Sequence, residues 1–82
     1  MTPSSVTGVL PIQQMVANAS PSAWRDGIVV ESRAGSVVVA ALDGGLTTLS
    51  TVVVPAIGEP VAFHPVAELV AVAGVRYPAR AA

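Results

Sequence analysis

The chain contains no cysteine and no lysine, and only 11% of its 82 residues are charged. Without thiols there are no disulfides and no thiolate metal ligands, so burial and strand pairing must hold the fold. Without lysine there is no phosphate-cradling G-x-x-x-x-G-K loop. A single histidine, His64, offers no second imidazole or thiol to complete a zinc site, and a structural role is the expectation for it. No serine sits in a G-x-S-x-G elbow; Ser32, Ser36 and Ser50 fall in or beside extended segments. Glu59 and Glu68 are the carboxylates to consider for acid/base work, yet nothing in their spacing makes them meet, and surface charge is the expected role. These absences point away from an enzyme, and no cofactor or metal is expected. Long apolar runs are missing too. The charge-free stretches Val52–Gly58 and Leu69–Val75 fall far short of the roughly 20 residues that cross a bilayer, so no membrane partner is expected. The first residues lack the Lys/Arg-then-apolar pattern of a secretory signal, which makes cytoplasmic synthesis the simpler reading.

What is present is oily. Apolar residues make up 52% of the chain, and a domain this short keeps roughly 40% of its unfolded surface exposed even when folded. Some of that surface is therefore expected to face a partner. Nucleic acid is a poor candidate. Four arginines, three aromatic residues and a net charge of −1 leave too few cations to bind phosphates, although a single-stranded nucleic-acid-binding barrel is the alternative to keep in view.

The chain divides at Trp24. Residues 1–23 are rich in Ser, Pro, Thr and Asn and are expected to form an extended arm; a short helix begun by Pro11, with Leu10, Met15 and Val16 on one face, is the alternative. Residues 24–82 read as one small β domain. Ile28–Arg33 and Ser36–Leu42 are β-branched runs around Ala34-Gly35, a hairpin pattern. Asp43-Gly44-Gly45 is a turn, followed by a third strand over Leu46–Val54. Pro55 and Pro60 bound a loop, and Val61–His64 and Ala67–Arg76 read as strands four and five with both faces buried. Five short strands with tight turns predict a small all-β antiparallel barrel, OB-like or alternatively SH3-like.

The segments "GIVVESRAGSVVVAALDGG", "PAIGEPVAF" and "ELVAVAGVRYPAR" resemble the small β-barrel modules of structural proteins in tailed bacteriophages. The resemblance rests on Gly27, on Asp43 to Gly45, on the step from Ile57 to Val61 and on the step from Val72 to Gly74. It covers about fifty residues and carries no catalytic signature. It implies a virion component, made in the cytoplasm of a bacterial host, in a tail tip, a head-to-tail connector or a capsid decoration layer. The implied partners are other copies of the chain and other virion proteins.

Candidate contact residues follow from the same reading. Leu10, Ile12, Met15 and Val16 are the apolar residues of the arm. Trp24 stands at the arm–barrel junction, where a space-filling plug is favoured over a stacking platform. Arg76, Tyr77 and Arg80 combine the residue types that interfaces favour, with a frayed C-terminus as the alternative.

Overall fold

A computed structural model describes residues 8–82 and places them in one short helix, a 3₁₀ turn and six strands. The part of the expected arm before Gly8 lies outside the described residues. From Pro11 to Ala19 the chain is not extended: it forms helix α1. Pro11 presets the first helical φ, and the Gln13 side chain reaches back to accept the Leu10 N–H at 2.9 Å. At the other end the Ser20 N–H bonds the Val16 carbonyl at 3.1 Å, and Pro21 prevents another turn. A nine-residue helix has little stability of its own. It persists here because Val9, Val16 and Ala17 pack against Ala67, Leu69 and Trp24. Leu10 and Met15 do not join Val16 on that buried side; both are exposed.

After a 3₁₀ turn at Pro21–Ala23 come β1 (Arg25–Arg33), β2 (Ser36–Ala41), β3 (Leu46–Thr51), β4 (Pro60–His64), β5 (Leu69–Val72) and β6 (Val75–Ala81). They close in the order β1-β2-β3-β6-β5-β4, every neighbouring pair antiparallel. The all-β antiparallel barrel is thus observed, with six strands in place of five, and it is closed where an OB barrel is five-stranded and partly open. The extra strand comes from Ala67–Arg76, which is not one strand. Ala73 and Gly74, at φ 52° and 81°, make a two-residue turn that folds Val75 back onto Val72. The expected C-terminal tail is therefore β6. Its first half pairs with β5, and from Ala79 it pairs with β3; Pro78, which has no N–H to give, sits at the changeover. β3 ends at Thr51, short of Val54, because Val52–Val54 lead out to the buried Pro55.

Alternation fills the barrel. Val29, Val37, Val39, Leu49, Phe63 and Val70 point inward and are almost fully buried, each contributing about 1.5–3 kcal/mol. β1 kinks at Val30, where the register against β2 slips by one residue. The expected double burial of the last strands holds for β4 and β5: Phe63 and Val70 face the inner core, while His64 and Leu69 are buried on the outer side of the wall.

The Ala73 turn supplies a direct test of this topology. A residue with a Cβ is disfavoured at positive φ by roughly 1–2 kcal/mol. Ala73→Gly or Ala73→Asn is expected to raise stability by about 0.5–1 kcal/mol, read as a higher midpoint in urea. A lower midpoint would contradict the two-residue turn.

Candidate interaction surfaces

Among the described residues, the arginines pair with acids or amides of the chain, while most other side-chain hydrogen bonds go to the main chain. Arg25 pairs with Asp43 at 2.7 Å and lies over the Phe63 ring, 5.5 Å from its centroid. Arg33 meets Glu31 at 3.5 Å and Arg80 meets Glu68 at 4.0 Å, both at the surface, where such pairs contribute little. Arg76 is a clamp. Its Nη1 donates to the Gln14 Oε1 at 2.6 Å and to the Asn18 Oδ1 at 3.4 Å, and its guanidinium lies 5.1 Å from the centroid of the Trp24 ring. It ties α1 to β6.

His64 is equally committed. The Ala67 N–H donates to Nδ1 at 3.0 Å, so Nε2 carries the proton and donates to the Ser20 carbonyl at 2.9 Å. Trp24 meets its ring edge-on, with centroids 5.1 Å apart. The imidazole thus joins β4, the β4–β5 turn and the segment leading out of α1, and Trp24 fills the space between helix and wall. Glu59 accepts its own loop's Ala56 N–H, whereas Glu68 lies in the β4–β5 turn beside Arg80. Among the described residues no group of three His, Cys, Asp or Glu side chains is placed to hold a metal ion, and no helix is long and apolar enough to cross a membrane.

The expected contact residues separate into two groups. Val16, Trp24 and Arg76 are used in seating α1, and Tyr77 is half-buried against the inner core. Leu10, Ile12 and Met15 remain uncovered at 58%, 59% and 65% exposure, and Arg80 is exposed near them. Leu10, Ile12, Pro78 and Arg80 line an open cleft of about 400 Å³ between the start of α1 and β6.

A second apolar surface escaped the sequence reading. On the outer side of β1, β2 and β3, cross-strand register aligns Pro60, Ile28, Ala40 and Leu46 in one row; the next row holds Val38 between Glu31 and Thr48, and Leu42 lies just past the end of β2. Leu42 and Leu46 are each 71% exposed. The signal was available. Alternation in Ser36–Ala41 leaves apolar residues on both faces of β2, the pattern of a strand covered on both sides. α1 covers only the β4–β5–β6 sector, so the outer face of β2 has no cover within the described chain.

In comparison with known proteins, no family model matches this chain, and neither a characterised protein nor a solved structure matches it.

Proposed function

We propose that this protein is a non-enzymatic structural module that assembles with copies of itself and with neighbouring structural proteins. The observation that carries this reading is the bare outer face of β1–β2–β3, where Leu42 and Leu46 stand in water beside Ile28, Val38 and Ala40. The uncharged outer side of α1 adds to it. The resemblance to tailed-phage barrel modules suggests a virion setting: tail tip, connector or capsid decoration. Single-stranded nucleic-acid binding fits less well, because four arginines against five acids leave a net charge of −1 and too few cations for a phosphate-binding surface.

Sedimentation velocity over a concentration series tests the reading. The expected result is a mass that rises above the monomer as concentration increases; a monomer up to near-millimolar protein would overturn it. For the virion setting, the check is peptide mass spectrometry of purified phage particles that encode the chain. Its absence from the particle would remove that setting while leaving self-assembly standing.

A further inference from the structure

Exposed apolar residues also flank the loops, at Val52, Val54, Ile57 and Val66, but the two uncovered groups that lie on α1 and on the sheet wall belong to opposite sectors of the barrel. β5, at the centre of the sector that α1 covers, lies across the barrel order from β2, at the centre of the bare sector. Resting on the self-assembly proposed above, we infer that the two surfaces are partners: the exposed residues at the start of α1 in one copy, Ile12 and Met15 with the preceding Leu10, dock on the β1–β2–β3 face of the next.

The chain itself supplies the precedent in shape. α1 already lies with one side on an outer sheet face, where Val16 and Ala17 meet Leu69 and Ala67. A helix packed between two sheet faces is an ordinary layered arrangement. α1 also carries no charge along its length, and its polar residues, Gln13, Gln14 and Asn18, are turned to Ala67, Glu68 and Arg76 of the same copy, which leaves Ile12 and Met15 on its outer side.

Charge decides between the possible arrangements of two copies. The sheet side carries two pairs, Arg25 with Asp43 and Arg33 with Glu31, and one further acid, Asp26, which is exposed and has no side-chain partner among the described residues, so it is net negative. A two-fold contact would bring this patch against itself, acidic rim to acidic rim. The helix side carries two arginines, Arg76 and Arg80, against one acid, Glu68, 4.0 Å from Arg80, and so is net positive. Head-to-tail docking matches a basic border with an acidic one. Such a contact is heterologous and propagates into a ring or a filament.

The test blocks one face at a time. Met15→Asp spoils the stripe and Leu46→Asp spoils the sheet face; both residues are exposed, so the barrel should tolerate them, which far-UV circular dichroism checks. Each variant alone is expected to self-associate at least about 100-fold more weakly than the unaltered chain, since a carboxylate cannot enter an apolar contact unpaired. Mixed together, they should form a one-to-one dimer and nothing larger, because each supplies the face the other lacks. A Met15→Asp chain that assembles as well as the unaltered one, or a mixture that stays monomeric while the unaltered chain assembles, overturns head-to-tail docking. An unaltered chain that is itself monomeric overturns the self-assembly reading, and the docking with it. The absence of native cysteine allows a second measurement that tolerates any folding defect of the aspartate variants. In an oxidised mixture of Met15→Cys and Leu46→Cys chains, disulfides between positions 15 and 46 should outnumber like-with-like pairs. A majority of like pairs refutes the proposal.

Discussion

Gly27→Ala is expected to cost about 3 kcal/mol, a fall of roughly 15 °C in melting temperature for a domain of this size. Gly27 is held on both sides, opposite Ala41 of β2 and Val61 of β4, so its backbone cannot retreat without breaking two ladders. A Cβ there would stand 2.4 Å from the Val39 Cγ1 and 2.8 Å from the Ala40 carbonyl oxygen. Val39 is completely buried, and the carbonyl is main chain. Neither gives way cheaply in a close-packed interior. The reason for glycine here is space, since its φ lies outside the left-handed region. Gly35→Ala makes the contrast: its Cβ meets nothing within 4 Å, and only its φ of +85° opposes the change, at about 1 kcal/mol. Equal losses for the two variants, measured by urea denaturation of dilute protein, would show that the crowding at Gly27 is absent.

His64→Ala is expected to be about as damaging, by about 3 kcal/mol, but its effect should be local. The substitution leaves the Ala67 N–H and the Ser20 carbonyl without partners and opens a hole beneath Trp24. Those groups belong to the outer cluster under α1, which is distinct from the inner barrel core. Hydrogen exchange should therefore accelerate in α1 and the Pro21–Ala23 turn far more than in β2, and Trp24 emission should shift to the red. His64→Asn places an acceptor where Nδ1 stood and should recover roughly half the loss. Uniform loss of protection across helix and barrel would show that the two clusters do not separate.

These two residues also mark where sequence reading reached its limit. β-branched runs and glycine turns made the first hairpin and the third and fourth strands readable, because their signals are local. The His64 contact to Ser20 spans 44 residues, and the crowding over Gly27 depends on the exact register of the first hairpin, which sets Val39 and Ala40 over it. Neither leaves a local trace. The sixth strand was hidden for a different reason. Ala73 occupies a turn position that Asn or Gly usually announces, so Leu69–Val75 reads as one unbroken apolar run. α1 was weakly visible because its stability comes from Leu69 and Ala67, more than fifty positions away, and not from its own propensity. Of the candidate contact residues, Leu10, Ile12 and Met15 are uncovered as an interface requires, whereas Arg76 looked like a free cation because its acceptors, Gln14 and Asn18, sit on a helix that was expected to be extended.

The closed order of the strands has one more consequence. A Val-rich sheet left open would present a row of idle amide and carbonyl groups on which a stray chain could stack, the first step toward amyloid. Here every strand has a neighbour on both sides, and the main chain left unpaired on one side is confined to short stretches such as Glu31–Arg33 of β1 and the start of β3. Short unpaired edges give a stray strand little to stack on, so closure removes most of the aggregation hazard that so many valines would carry in an open sheet.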